Sequence, residues 1–432
     1  MKISVIGAGY VGLVSGVCLS SLGHDVTILD TNKSKINKIK KGHPIIHEKD
    51  LPELLNKQLK KRNFLLTSSY YDLHDHDVFI ICVDTPFLRN KPYTKNLFDS
   101  LDSLLKVISR DSIIIIKSTA PIGTYIKIEE LIYKKKSKHN INLCVHPEFL
   151  KEGSAVDDFL NPERIILGTR NKSDLHIFKK IYSKKPLQRK IITVTPESAE
   201  LSKYAANGFL ATKISFINEI SRISERCGAD IEEIKLAIGT DSRIGNKFLN
   251  SGIGFGGSCF PKDLQALSFK KKILNLESGI LEASLHGNKV QLQNFVNKIL
   301  KFKKEKNLTI KNFSLSIWGM SFKPNTNDLR DSQSVKLVKK LIKHCRQVNI
   351  YDPICSKSEI LDQFKNTNKL KVFKDKYLAS KDTNALVVAT EWEEFRNINF
   401  NKMKTPVIFD GRNCIDKIKC YENNIQYVGI GR

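Results

Sequence analysis

The reactive side chain with most to offer in this sequence is Cys259, which sits in the turn GFGGSCFPKD with Lys262 and Asp263 three and four positions on. A thiolate there can add to an aldehyde to give a thiohemiacetal, which is itself a hydride donor, and the resulting thioester is open to water. A lysine nearby lowers a thiol pKa and stabilises an oxyanion, while a carboxylate steers a proton or a water. The competing reading is a cysteine merely packed in a turn, which the paired glycines before it weaken. Lys203 and Asn207 form a second candidate set. They lie one helical turn apart and share a face with Ala211, so they suit a cleft, against the plainer reading of a snorkelling lysine and a capping amide.

These residues need elements to hold them. The stretch from Pro196 to Cys227 opens with proline at a first-turn position, carries Glu197 and Glu200 beside it and has no further proline. Apolar residues at Leu201, Ala205, Phe209, Phe216, Ile220, Ile223 and Cys227 recur at helical spacing, and the spacing predicts one long helix. At the start of the chain, Gly7, Gly9 and Gly12 make G-x-G-x-x-G directly after a buried strand and at the opening of a helix. That pattern gives a tight turn, a close approach for a pyrophosphate and a helix-on-strand contact free of side chain. Asp30 ends the next strand eighteen residues past Gly12, where a carboxylate can accept both ribose hydroxyls of NAD. Its charge opposes a 2′-phosphate, although Lys33 and Lys35 close by keep NADP in view.

The α/β pattern continues with strands at 77–83, 112–117, 141–145, 165–168 and 191–195. Thr85 and Thr119 follow strand ends, where such sheets bind ligands and where threonine also caps helices. Glu148 and Glu152 either share a helical face or are surface charges bracketing Lys151. After the long helix come a short helix at 231–238, an aperiodic loop at 250–258 and helical runs at 264–267 and 281–299. From Leu315 the α/β pattern restarts, with a helix to about His344, an acid at Asp352 and strands at 385–389 and 407–410. Its turn lacks the three-glycine pattern, so a second complete NAD site is not expected. Lys323, Arg330 and Arg412 stand at strand or helix ends, where anions are met. The expected architecture is α/β: an N-terminal Rossmann NAD-binding domain (1–195), a long central helix with a helical middle region (196–300) and a C-terminal Rossmann-like α/β domain (301–432).

The chain has 432 residues and a formal charge of +26, with its lysines in short scattered clusters. There is no aromatic-interleaved basic stripe and no Cys/His finger, so nucleic-acid binding is not expected, and the excess charge suits a phosphate-bearing substrate or solubility. Nine cysteines, none in CxxC spacing and several in apolar runs, argue for buried free thiols and against both a disulfide framework and a metal site. No run reaches membrane-spanning length, and the first residues read at once as a strand, so a cytoplasmic, soluble protein is expected.

Taken together, the segments VIGAGYVGLVSGVCL, CVDTP with KST after it, HPEFLKEG, ELSKYAANGFLATKISFINEI, SRIGNKFLNSGIGFGGSCFPKD, GMSFKPNTNDLRDS and DGRN resemble the UDP-glucose 6-dehydrogenase branch of the nucleotide-sugar 6-dehydrogenases. The resemblance covers nearly the whole chain. It implies oxidation of a UDP-glucose alcohol twice by NAD to a carboxylate in a homodimer or larger assembly, with GDP-mannose as the nearest rival substrate; an NAD-binding sensor without catalysis is the alternative of another kind. It also implies roles. Cys259 is the nucleophile, Lys203 and Asn207 stabilise the oxyanion, and Thr119, Glu152 and Asp263 hold water and relay protons. The NAD contacts are Gly7, Ala8, Gly9, Tyr10, Val11, Gly12, Asp30, Lys35, Thr85, Thr119, Glu152, Lys262 and Arg330. The nucleotide sugar falls to Glu148, Phe149, Leu150, Lys151, Glu152, Lys203 and Asn207, to Asn250, Ser251, Gly252, Ile253, Gly254, Phe255 and Gly256, and to Lys323 and Arg412, with Arg243 reaching in from a neighbouring subunit. Asp84, before Thr85, departs from the neutral residue usual there and puts a charge near the cofactor.

Overall fold

A computed structural model describes residues 1–277, 279–364 and 367–432. It divides into two compact units, residues 1–206 with 265–276 and residues 207–264 with 277–432; the breaks after 206 and 264 fall inside helices, and the one after 276 falls between two.

In the first unit the main sheet is built from β1 (Lys2–Ile6), β2 (Asp25–Leu29), β3 (Phe64–Thr67), β4 (Val78–Ile81), β5 (Ser112–Ile116), β6 (Ile141–Val145), β7 (Ile165–Gly168) and β8 (Ile191–Val194). Among the described residues they form one sheet in the order β8-β7-β6-β5-β4-β1-β2-β3, parallel throughout except where β6 meets β7. The near-continuous apolar runs are explained by burial on both faces. On β5, Ile113 and Ile115 join one buried cluster while Ile114 and Ile116 join another on the opposite face. Strand order reverses beside β1, which pairs with β2 on one side and β4 on the other. The crevice outside such a reversal is where open α/β sheets take ligands.

The second unit repeats the scheme with β9 (Ser314–Trp318), β10 (Gln347–Tyr351), β11 (Leu370–Val372), β12 (Ala385–Val388), β13 (Val407–Asp410) and β14 (Gln426–Val428), all parallel, in the order β11-β10-β9-β12-β13-β14. Leu315 and Ile317 face one cluster and Trp318 the other. The expected long helix is continuous from Pro196 to Cys227, with Glu197 in its first turn and Arg226 in its last, both favourable to the helix dipole. The helix expected to reach His344 is α-helical only over Gln333–Leu341, and Ile342–His344 tightens to a 3-10 turn. Among the described residues no helix is long and apolar enough to cross a membrane.

Candidate active site

The glycine fingerprint leads from β1 into the helix Tyr10–Ser21. Gly7 has φ +100°, and a Cβ there would lie 2.7 Å from the Cys82 carbonyl oxygen; a Cβ on Gly12 would lie 1.8 Å from the Gly7 oxygen. A Cβ on Gly9 meets nothing within 4 Å. Two glycines therefore close the turn and the third leaves open space beside the helix amino terminus, which fits a pyrophosphate. The Asp30 carboxylate accepts the Ala8 amide at 2.9 Å and the Asn32 amide at 3.0 Å, and pairs with Lys35 Nζ at 2.7 Å. Thr85 Oγ1 donates to the Thr119 carbonyl at 2.6 Å, and Asp84 is exposed. The half-buried Val11 lies in the first turn of the same helix.

The segment after β6 corrects both readings of its carboxylates. Residues 146–154 form no helix, and Glu148 is buried rather than on the surface. Burial would push its carboxyl up, but the Lys203 ammonium at 2.9 Å and the Leu150 amide at 2.8 Å hold it below its ordinary range. Both side chains of that pair are 6% exposed. Lys203 Nζ also lies 5.4 Å from the ring centre of Phe149, on whose face Arg164 stacks at 4.0 Å. Leu150 and Glu152 are half-buried, while Lys151 is exposed and pairs with Asp158. Just upstream, His146 accepts Lys117 Nζ at 2.9 Å and turns its other nitrogen to the Ile166 carbonyl at 2.8 Å; burial brings Lys117 down to about 8. Glu200 accepts the amides of Gly123 and Tyr125 at 2.6 and 2.7 Å, fixing the loop that follows Thr119, and burial raises its carboxyl to about 7.

In the second unit Cys259 is half-buried and stands directly before the helix Phe260–Ile273, with its carbonyl accepting the Asp263 amide at 2.8 Å. Ser258 Oγ lies 3.6 Å from its sulfur. Of the other cysteines only Cys227 is exposed, and the rest are buried. Asp263 is 1% exposed; one oxygen accepts Asn207 Nδ2 at 2.6 Å and the other Lys262 Nζ at 2.6 Å. Asn207, Lys262 and Asp263, separate expectations from the sequence, thus form one hydrogen-bonded group.

The loop before the cysteine is clamped by amides. Asn288 accepts from and donates to the backbone of Phe255 at 2.8 and 2.9 Å, Gln333 donates to the Phe255 carbonyl, and Gln291 and Asn218 take the carbonyl and amide of Gly252. The glycines are sterically required: a Cβ on Gly256 would stand 2.5 Å from the Asp331 oxygen. Ile253 is fully buried, Ser251 binds Asn413, and Asn250 is exposed. Arg412 donates to the carbonyls of Ala389 and Gly254 and pairs with Glu391. Lys323 stacks over Phe322. Arg330 forks onto Asp328, and Arg243 onto Asp241 with its side chain 88% exposed.

Residues 1–185 match the NAD binding domain of the UDP-glucose/GDP-mannose dehydrogenase family, residues 197–290 its central domain and residues 316–417 its UDP binding domain. The chain belongs to the UDP-glucose/GDP-mannose dehydrogenase family. As a member it is an NAD-dependent oxidoreductase, and its cofactor is NAD. It is 38% identical to a UDP-glucose 6-dehydrogenase of Rickettsia conorii, across 100% of this chain and 99% of that protein. A UDP-glucose 6-dehydrogenase of Bacillus subtilis is 36% identical across 100% and 93%. Among solved structures, a UDP-glucose dehydrogenase from Pyrobaculum islandicum superposes with a TM-score of 0.90 at 28% identity, covering 100% of this chain and 97% of that one. In this family member the sequence alone did not point to Glu200, Asn218, Asn288, Gln291 or Gln333. Each is a polar residue on a helix whose partner lies far along the chain; the available signal was an amide or acid interrupting an otherwise apolar helical face.

Proposed function

We propose that the chain is a UDP-glucose 6-dehydrogenase, which oxidises the primary alcohol of UDP-glucose to the carboxylate of UDP-glucuronate with two NAD and one water. The observation that carries this is its similarity, at 36–38% identity over the full chain, to several proteins of that name. Fold alone does not select the sugar, since a UDP-D-ManNAc dehydrogenase from Pyrococcus horikoshii superposes with a TM-score of 0.88.

NAD in the glycine cradle supplies the hydride acceptor for each oxidation. The chain's own residues do the rest. Lys203 and Asn207, on successive turns of one helix, stabilise the negative oxygen that develops in each step. Cys259 stands at a helix amino terminus, where negative charge is favoured, and adds as thiolate to the aldehyde carbon, its oxygen taking up the charge. Hydride loss from that thiohemiacetal leaves a thioester. Water then attacks the acyl carbon, the carbon–sulfur bond breaks, and the carboxylate leaves with Cys259 restored. Thr119, Glu152 and Asp263 hold this water and carry its protons.

Residues 148–152 and 250–256, Lys203, Asn207, Lys323 and Arg412 receive the nucleotide sugar, while Gly7, Ala8, Gly9, Tyr10, Val11, Gly12, Asp30, Lys35, Thr85, Thr119, Glu152, Lys262 and Arg330 receive NAD. A three-part organisation, 1–195, 196–300 and 301–432, accompanies this assignment, with the protein in the cytoplasm. The chain works as a homodimer or larger homo-oligomer, with Arg243 serving the neighbouring subunit. Leu201, Phe209, Phe216 and Ile223 support this: they make a stripe along one helix and are 44–67% exposed in the single chain.

Parallel turnover of UDP-glucose, GDP-mannose and UDP-N-acetylmannosamine tests the reading. Two NADH per UDP-glucose, with Cys259→Ser blocking release of UDP-glucuronate, is expected. Higher kcat/KM for another sugar overturns the substrate, and a Cys259→Ser protein that turns over normally overturns the covalent route.

A further inference from the structure

Glu48 lies between the helices Lys33–Lys40 and Leu51–Leu59 and is 3% exposed. Both of its oxygens are engaged. Oε1 accepts the Ala155 amide at 2.7 Å; Oε2 accepts the Gly153 amide at 2.7 Å and the hydroxyl of Tyr10. Tyr10 is the first residue of the helix that follows Gly9, and Gly153 follows Glu152 in a turn where its φ is +88°. Burial first, then the Glu48 hydrogen bond and the charges of Glu48 and Glu152, push the Tyr10 phenol upward, so it remains protonated and donates. The Gly153 amide also lies 3.2 Å from the Tyr10 oxygen. One buried carboxylate thus ties the glycine fingerprint to the turn that carries Glu152.

We propose that Glu48 is a positioning residue that couples the seat of the cofactor to the placement of the Glu152 carboxylate. The geometry suits a carboxylate and no other group of its size. Three donors converge on Glu48, and a glutamine would set its own NH2 against one of them, leaving a buried donor unsatisfied and the turn free to shift. The inference rests on the role given to Glu152 above.

The test is a double-mutant cycle on the full-length enzyme, read as kcat and as KM for NAD and for UDP-glucose. Glu48→Gln is expected to lower kcat and raise KM for NAD by about tenfold each, the cost of one unsatisfied buried donor, with KM for UDP-glucose nearly unmoved. In a Glu152→Gln background the same substitution is expected to change kcat by less than about twofold, because the group it positions is already gone. A purely architectural residue would give the same loss in both backgrounds, and multiplying effects overturn the coupling. Wild-type kcat and KM in Glu48→Gln overturn it as well. Should Glu48→Gln fail to fold, Tyr10→Phe in the two backgrounds decides by the same criterion, with a smaller loss expected. A silent Glu152→Gln overturns the role of Glu152, and the coupling with it; an impaired Glu152→Gln with multiplying losses overturns the coupling alone.

Discussion

Replacing Lys203 by methionine keeps the length of the side chain and removes its charge from beside Glu148. The two groups are 2.9 Å apart and each is 6% exposed. At an effective dielectric constant of about 20 their attraction is roughly 6 kcal/mol. Much of that is offset by desolvation, and breaking a buried pair by removing one partner typically costs about 3–5 kcal/mol. In the variant Glu148 keeps the Leu150 amide and the more distant charge of Lys117. Its carboxyl can escape the penalty by taking a proton, which at pH 7 costs about 3.4 kcal/mol for a group that ionises near 4.5 when unfolded.

This gives the loss a pH dependence of known sign. In the unmodified protein Glu148 is held below its ordinary value, so its contribution is present above about pH 4.5 and is lost as pH falls through the folded value. In Lys203→Met burial carries the folded value above the unfolded one, so the variant loses stability as pH rises, by up to about 1.4 kcal/mol per unit. The difference between the two proteins therefore widens from pH 5.5 to 7.5 by roughly 2–3 kcal/mol, or about 4–12 °C in Tm for a unit of this size. Thermal melts of both proteins across that range measure it directly. A difference in Tm that stays constant with pH refutes the ion pair as the reason for the Lys203 and Glu148 geometry.

Further perturbations address the other groups. Asp263→Asn removes the charge that holds Lys262 and one acceptor from the Asn207 and Lys262 group; hydrolysis should slow by about a hundredfold, and intact-protein mass should show sugar nucleotide on Cys259, whereas an unmodified mass throughout turnover refutes a role in hydrolysis. Asp30→Ala frees Lys35 for a 2′-phosphate, so kcat/KM should fall about tenfold for NAD and rise for NADP; an unchanged ratio refutes the assignment. Phe209→Glu places a charge in the exposed helical stripe, where burying each phenylalanine in an assembly is worth about 2–3 kcal/mol. Sedimentation should then show a monomer, and an unaltered dimer refutes that face as the interface.

What was legible in the sequence was local. Gly7, Gly9 and Gly12 could be read because their requirements are met within a single turn, and the inner β-strands because both of their faces are buried; the edge strands β3, β11 and β14, each short and partly exposed, were not read. Asp30 was legible as an acid at a strand end, but its pairing with Lys35 depends on the side-chain path. Glu148 and Glu152 left two readings open, both overturned at Glu148, because its deciding partner lies on a helix that begins at Pro196. The spacing along that helix identified an apolar face without saying what covers it: Phe209 is 67% exposed, while Ala211, two positions on, is fully buried. Asn288 and Gln291 were invisible as clamps because an amide on a helix reads as solvent-facing until the Gly252 and Phe255 backbones are seen against it.

The two halves of the chain show how one sheet plan yields different sites. Asp30 and Asp352 each follow the second strand of their unit. Asp30 takes two backbone amides and a lysine, while Asp352 takes four backbone amides, from Met320, Ser321, Ile354 and Cys355. Such a carboxylate has no lone pair left for a ribose hydroxyl. Gly319 corresponds to Gly7 and has φ +89°, but the two residues after it, Met320 and Ser321, are fully buried, where Gly9 opens onto space. No helix begins at that turn either, the next one starting at Gln333, so no amino terminus awaits a pyrophosphate. The C-terminal sheet therefore keeps the architecture of a dinucleotide fold without its cradle, which leaves its loops for the UDP-binding role that residues 316–417 have in this family.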